Sequence, residues 1–193
     1  MDACKMEQKP KNNKRIYVIE TIIIGIIILL AVFFFLRFIA QRNIVMGDSM
    51  YPALHNKDNI IVSKIHYKTN EIKRFDIVVF PYTDKNEKTT NYIKRVIGLP
   101  GENIEINNGK IYITNSSGRF ELEDKYGYYE NNIKMQGYQA SEPVIIGDDE
   151  YFVLGDNRNN SKDSRQIGCI KKEDIIGKGI FVFFPFTRIG KCK

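Results

Sequence analysis

An uninterrupted apolar run near the N-terminus constrains this chain more than any other feature of its sequence. From Ile16 to Leu36 there are 21 residues, and Glu20 is the only charged one. At about 1.5 Å per residue, a helix of this length would extend roughly 31 Å, close to the hydrocarbon thickness of a bilayer. A buried core helix this long would normally carry a polar stripe. The run therefore predicts one membrane-spanning helix over residues 16–36.

The sequence around this run decides between a permanent anchor and a cleaved signal peptide. The uncharged part, from Thr21 to Leu36, is slightly longer than the roughly 7–15 apolar residues of a signal peptide. The stretch RFIAQRN that follows has no small-x-small cleavage site. We therefore expect an uncleaved anchor.

Basic residues are concentrated before the apolar run, and this asymmetry predicts its orientation. Positively charged flanks tend to stay in the cytoplasm. The sequence thus predicts a basic cytoplasmic segment over residues 1–15, a single-pass anchor in the cell membrane, and an extracytoplasmic domain over residues 40–193. The basic residues before and after the run are Lys5, Lys9, Lys11, Lys14 and Arg15 on one side, and Arg37 and Arg42 on the other.

Charge and cysteine spacing exclude some classes of protein. The formal net charge is +6 at pH 7, but the basic residues are spread along the chain rather than gathered in a stripe with aromatic residues, so no nucleic-acid partner is expected. The spacing of Cys4, Cys169 and Cys192 matches no zinc site. Cys169 and Cys192 could form a disulfide outside the cytoplasm or remain free, and the sequence leaves both open.

After the predicted anchor, the sequence is typical of short strands joined by turns. Apolar, β-branched runs alternate with polar loops, and Asn108-Gly109 marks a hairpin turn. No long amphipathic helix is evident, so we expect a mainly β domain, with residues of about 107–145 forming a smaller subdomain or loops. The predicted strands lie in NIIVSKI (59–65), DIVVFPY (76–82), YIKRVIGLPGENIEI (92–106, two strands around a Pro-Gly turn), EYFVLGDNR and DIIGKGIFVFFPF (174–186).

The stretch GDSMYPAL, residues 47–54, surrounds a serine with both charged and apolar neighbours. A buried strand would exclude Asp48, and a surface loop would not gather Met50, Tyr51 and Leu54 so closely. The mixture indicates that Ser49 is presented at the edge of an apolar groove. On this stretch alone, a plain turn leading into a strand is the simpler interpretation.

A serine nucleophile needs a base to accept its proton. Neither of the two histidines, His55 and His66, lies in surroundings that suggest this role, and surface positions suit both. A lysine can serve if apolar surroundings favour its neutral form. Lys94 lies mid-strand in YIKRVIG, and strand alternation puts it on the face opposite Arg95. Spacing leaves two interpretations open, because Lys94 could point inward or extend from an edge strand to water.

Three motifs, in order after one N-terminal span, resemble the type I signal peptidases of bacteria: GDSMYPAL, YIKRVIGLPGE and GDNRNNSKDSR. KDNIIVSK (57–64) is similar to a further block of that family. The resemblance covers nearly the whole chain, least well over residues 107–145, and the short length is similar to Gram-positive members. It implies a signal-peptidase-like β fold with a small β subdomain, preceded by one transmembrane helix, and no metal or cofactor.

The resemblance also implies an activity and partners. The chain would be a membrane-anchored serine endopeptidase that cleaves N-terminal signal peptides from exported preproteins through an acyl-enzyme and a Ser-Lys dyad. It would contact membrane lipid and work near the secretion translocon. A self-cleaving regulator like the SOS repressors uses the same chemistry but carries a DNA-binding domain where this chain has an apolar span. A non-catalytic anchored binding module would have no need of both Ser49 and Lys94.

Individual site residues follow from the resemblance by motif. Ser49 would be the nucleophile, Lys94 the general base, and the Ser49 backbone N–H an oxyanion donor. Gly47 stands where some members have a serine, and would let the backbone turn tightly and leave room for substrate. Ser161 would orient Lys94 beside an ion pair of Asp163 and Arg165. The implied substrate pocket comprises Met50, Leu54, Tyr92 and Ile93.

Overall fold

The computed structural model describes residues 14–34, 39–65, 67, 71–129 and 143–192. Contacts divide the chain into two units, Met1–Ile39 and Ala40–Lys193. The first contains helix α1, Lys14–Phe34, which buries none of its residues within the protein. It is long and apolar enough to cross a membrane. The helix begins two residues before the predicted span of 16–36, and the end of that span lies outside the described residues.

The second unit is mainly β, which confirms the predicted fold class. Its short helix α2 is Ser164–Ile167, and single 3-10 turns occupy Lys172–Asp174 and Phe186–Arg188. The strands of the described residues are β1 Ala40–Ile44, β2 Asn59–Ser63, β3 Ile77–Thr83, β4 Thr89–Gly98, β5 Asn103–Asn107, β6 Lys110–Asn115, β7 Gly118–Glu121, β8 Val144–Ile145, β9 Glu150–Leu154, β10 Ile170–Lys171, β11 Gly177–Phe184 and β12 Gly190–Lys191.

Within the described ranges, these strands form one large and one small sheet. The large sheet has the order β1-β2-β11-β3-β4-β9-β10, with β12 added to β11, and its pairs are antiparallel. The small sheet has the order β7-β6-β5-β8. Its β5–β6 hairpin turns at Asn108 and Gly109, which both have positive φ as a two-residue hairpin turn requires. Residues 130–142 of the segment predicted as a subdomain or loops lie outside the described residues.

Strand β3 is apolar on both faces because the large sheet is covered on both sides. Ile77 and Val79 pack in a cluster with Met50 and Leu54, which we name the Met50 cluster. Alternate residues of β3 pack in a separate cluster with Tyr151. Alternation sends successive side chains to opposite faces, so a strand with two covered faces reads as a continuous apolar run. This explains the unbroken sequence IVVF.

Candidate active site

Ser49 lies in a turn between β1 and β2 that several backbone contacts hold in place. Gly47 has a φ of +80°, a conformation that favours glycine, and no described atom would lie within 4 Å of a Cβ there. The Ser49 carbonyl accepts a hydrogen bond from the Asn157 backbone N–H at 3.1 Å. The Met50 carbonyl accepts one from the Leu54 N–H at 2.8 Å. These bonds hold the partly exposed Ser49 side chain at the surface of a cleft.

Lys94 of β4 lies in direct contact with Ser49. Its Nζ donates to Ser49 Oγ at 2.8 Å and to the Ile93 carbonyl at 3.0 Å. Only 4% of the residue is exposed. Burial lowers the pKa of Lys94 to about 8, although the carboxylates of Asp163 and Asp156 oppose this shift. The inward orientation is therefore the one that the structure adopts, while the catalytic roles of the two residues stay predictions.

The open edge of β4 gives Ser49 access to Lys94. Strand β3 pairs with β4 along Thr89–Arg95, but β9 pairs with β4 only from Arg95 onward. Among the described residues, no strand pairs with the second edge of β4 over residues 89–94. Ser49 approaches Lys94 at the end of this unpaired edge. The free edge continues away from the two residues along the cleft.

The cleft beside Ser49 and Lys94 has a volume of about 590 Å³. Three of the four predicted pocket residues line it, namely Met50, Tyr92 and Ile93. Leu54 is wrongly placed by the prediction, because it is 0% exposed and does not line the cleft. It packs in the Met50 cluster instead, since the turn after Ser49 directs it into the core.

Asp163 and Arg165 form the predicted ion pair, with Arg165 Nε and Nη2 at 2.7 and 2.8 Å from the carboxylate. Asp163 also accepts the Gly155 N–H at 3.0 Å and caps α2. Ser161 does not contact Lys94 by a hydrogen bond, since its buried Oγ has no hydrogen-bond partner among the described residues. Its orienting role stays a prediction.

Gly155 is a structural requirement of the site that the sequence analysis missed. A Cβ built on Gly155 would lie 2.6 Å from the Ser49 carbonyl oxygen and closer still to Ser161 Oγ. Strand β9 ends immediately before this glycine, so its backbone can approach the Ser49 turn closely. The sequence signal was the glycine that opens GDNRNNSKDSR, which alone is indistinguishable from an ordinary turn glycine.

Two further ion pairs next to the site were also missed. Asp156 accepts two hydrogen bonds from Arg95 at 2.7 and 2.6 Å, and both side chains are almost completely buried. The Arg95 guanidinium also stacks on the Tyr126 ring at 3.8 Å. Arg158 pairs with Asp124 of the segment after β7. These contacts join the GDNR turn to β4 through Asp156 and to the segment after β7 through Arg158.

The histidines and cysteines lie apart from the Ser49–Lys94 contact. His55 is half-buried, and its ring centroid lies 5.0 Å from that of Tyr51. Its Nε2 atom lies 2.8 Å from Nη1 of Arg188. His66 lies outside the described residues. Neither Cys169 nor Cys192 is paired with a described cysteine, and burial raises the pKa of each to about 11. Within the described ranges, no three His, Cys, Asp or Glu side chains are grouped to hold a metal ion.

Comparison with protein families identifies the group to which this arrangement belongs. A family model described as signal peptidase, peptidase S26, matches residues 18–184. The chain belongs to this family. The resemblance drawn from the three sequence motifs is thereby confirmed.

Several signal peptidases are similar to this chain over most of its length. Signal peptidase I P of Bacillus subtilis subsp. natto is 37% identical over 190 residues, covering 97% of this chain and 98% of that protein. Signal peptidase I S of Bacillus subtilis (strain 168) is 35% identical over 192 residues, covering 97% and 98%. Signal peptidase IB of Staphylococcus aureus (strain Mu50) is 36% identical over 174 residues, covering 83% and 89%. The short length of this chain is therefore shared with Bacillus signal peptidases.

A solved signal peptidase I from Enterococcus faecalis V583 has 30% sequence identity and a TM-score of 0.41 to this chain. The matched region covers 56% of this chain and 97% of the solved chain.

Proposed function

We propose that this chain is a membrane-anchored serine endopeptidase that removes N-terminal signal peptides from exported preproteins, with Ser49 as nucleophile and Lys94 as general base. The observation that carries the assignment of the dyad is the 2.8 Å contact between Lys94 Nζ and Ser49 Oγ, made by a lysine that is almost fully buried. Membership of the peptidase S26 family supports the reaction class. A buried lysine on a serine hydroxyl is the arrangement that serine activation without histidine requires.

The reaction proceeds in two acyl-transfer stages. The neutral amine of Lys94 accepts the proton of Ser49 Oγ as the oxygen attacks the scissile carbonyl carbon. The tetrahedral intermediate collapses to an ester on Ser49, and the Lys94 ammonium gives its proton to the departing amine. Water then attacks the ester as Lys94 accepts its proton, and the Lys94 ammonium returns that proton to Ser49 Oγ as the carboxylic acid product leaves.

The oxyanion of the intermediate needs a hydrogen-bond donor at the Ser49 turn. The Ser49 backbone N–H suits this role because it makes no hydrogen bond to any described residue. The Gly47 N–H is already engaged, since it donates to Asn56 Oδ1 at 3.1 Å. Gly47 therefore contributes the turn and the space beside Ser49 rather than a donor.

The substrate binds in an extended conformation between two strand edges. Strand β1 is the edge strand of the large sheet, and residues 89–94 of β4 present the second unpaired edge. Both border the cleft, so a peptide lying there can pair its backbone with either strand. Met50 and Ile93 form a closed apolar surface next to Ser49, which accepts a small side chain on the first residue before the cut.

The membrane and secretion machinery are the expected surroundings of this reaction. Helix α1 provides the anchor, with the N-terminal segment cytoplasmic and residues 40–193 extracytoplasmic in the cell membrane. Met46 and Phe186 of the β domain are exposed apolar residues suited to contact with lipid. A signal peptide leaving the translocon still has its own apolar segment in the bilayer, so an anchored enzyme meets it there.

A cleavage assay on a purified preprotein tests this function. The full chain in detergent micelles should release the mature protein at a single site, and Ser49→Ala should release none. The N-terminal residue of the product identifies the cut. A preprotein that stays intact with the folded wild-type protein would refute the proposed function.

A further inference from the structure

We propose that Asn43 and Asn91 form a polar floor in the cleft that selects a hydroxyl side chain at the third residue before the cut. This inference rests on the proposed function. It adds a specificity that the apolar pocket beside Ser49 does not provide. Serine and threonine are the natural side chains that suit such a floor, because both are small and carry a hydroxyl.

The register of the two flanking strands puts this floor opposite the third substrate residue. Val45 and Ile93 belong to the Met50 cluster next to Ser49. Asn43 lies two residues before Val45, and Asn91 lies two residues before Ile93. Side chains two residues apart on a strand share a face. An extended substrate has the same period, so a first residue over Met50 and Ile93 puts the third over Asn43 and Asn91.

The contact between the two asparagines joins the two walls of the cleft. Asn91 Nδ2 donates to Asn43 Oδ1 at 2.8 Å, and both residues line the cleft. Asn43 is only 7% exposed, whereas Asn91 is exposed. The Nδ2 of Asn43 has no hydrogen-bond partner among the described residues. The pair therefore has unused hydrogen-bonding capacity, both in the buried amide of Asn43 and in the accessible amide of Asn91.

This polar floor contrasts with the surface next to Ser49. Met50 and Ile93 offer no hydrogen bond to a small side chain, so alanine suits the first position. An amide offers both a donor and an acceptor, and a hydroxyl can bond to either. An apolar side chain over the exposed Asn91 amide would instead remove it from water without replacing the lost hydrogen bonds. The same cleft thus favours different small side chains at its two ends.

Threonine and valine provide the test, because they have nearly the same shape and differ by one hydroxyl. Two preproteins carry alanine at the first position and threonine or valine at the third. The full chain in detergent micelles is assayed for kcat/KM on each. One net hydrogen bond corresponds to about a five-fold preference, so wild type should cleave the threonine substrate about five times better. In Asn43→Leu and Asn91→Leu, this ratio should fall to about one or below.

The same exchange at the second position is the matched substrate control. That side chain points away from the floor, so its threonine-to-valine ratio should be the same in all three enzymes. A wild-type ratio of one or less at the third position overturns the inference, as does a ratio that both variants retain. The wild-type measurement decides even if a variant does not fold. A reference preprotein with alanine at both positions separates the two proposals, because its failure to be cleaved refutes the proposed function itself.

Discussion

At the scale of single residues, the charge of Lys94 is set by opposing effects. Burial disfavours the ammonium, whereas Asp163 and Asp156 stabilise it, and the result is a pKa of about 8. At pH 7.4 about one-fifth of such lysines are neutral, compared with about one in a thousand for a lysine in water. The protein therefore supplies a base that is ready to act near neutral pH without losing its ability to hold a proton.

This balance predicts how cleavage depends on pH. Because the neutral amine accepts the Ser49 proton, the rate should rise about tenfold per pH unit below pH 8 and level off above it. Lys94→Arg should be nearly as inactive as Lys94→Ala, since a guanidinium stays protonated in proteins. Preprotein cleavage measured from pH 6 to pH 10 tests the profile, with the variants compared near pH 8.

His55→Ala is the matched control for these variants, and it should keep most of the activity. An active Lys94→Arg protein would show that Lys94 contributes only a charge. A folded but inactive His55→Ala protein would show that the base is misassigned.

Substituting Gly155 should lower the activity although Ser49 and Lys94 themselves are unchanged. Gly155→Ala would introduce a Cβ 2.6 Å from the Ser49 carbonyl oxygen, so the Ser49 turn has to move. Displacing a reacting group by about 1 Å can lower the rate about a hundredfold. We expect that loss in kcat/KM on a preprotein. Gly190→Ala is the control, because no described atom lies within 4 Å of its Cβ, and normal cleavage by both variants would contradict the required contact.

At the scale of elements, β4 shows where sequence reasoning succeeds and where it stops. Its apolar pattern predicted the strand, and alternation placed Lys94 and Arg95 on opposite faces, but the pattern did not decide whether Lys94 points inward. The structure buries both because each meets a partner far away in sequence. Lys94 meets Ser49, 45 residues away, and Arg95 meets Asp156, 61 residues away. No local pattern contains such partners, so the motif resemblance identified Lys94 while Arg95 was passed over.

The buried pair of Arg95 and Asp156 predicts a large effect on stability. Arg95→Met leaves the Asp156 carboxylate buried without its partner, which should lower the free energy of unfolding by about 3–5 kcal/mol. Denaturant unfolding of the full chain in detergent micelles measures this. The exposed pair of Lys110 and Glu121 is the control, and Lys110→Met should leave the free energy of unfolding almost unchanged because water screens this pair. Equal effects of the two substitutions would contradict the role of burial.

The cleft between β1 and β4 predicts the size of the side chain accepted at the first residue before the cut. Met50 and Ile93 line the cleft next to Ser49 and are packed in the core, so neither can move far to admit a large side chain. Preproteins with alanine at this position should be cleaved, whereas phenylalanine should reduce kcat/KM at least about a hundredfold, because the ring would displace the scissile carbonyl from Ser49. Competition between the two substrates in one reaction measures the ratio. Equal cleavage would refute the pocket assignment.

At the scale of the whole molecule, the three motifs predicted the family and most of the site residues, because each motif contributes residues to the same site. Ser49, Lys94 and the turn after β9 come together only in the folded domain. The sequence could not give the contact of Arg158 with Asp124, because Asp124 lies in the polar stretch where the motif resemblance is weakest. It also misplaced Leu54, since a residue near a nucleophile can face either the cleft or the core.

The orientation of the chain in the membrane is the last prediction, and the activity depends on it. Five basic residues precede the apolar run, so the N-terminus should stay in the cytoplasm and the β domain should face outward. Protease added to spheroplasts should then digest a C-terminal tag on the domain and spare an N-terminal tag. Permeabilised cells are the control, in which both tags should be lost. Protection of the C-terminal tag in intact spheroplasts would put Ser49 on the cytoplasmic side of the membrane. That result would refute the predicted orientation, and with it the meeting of Ser49 with exported preproteins that the proposed function requires.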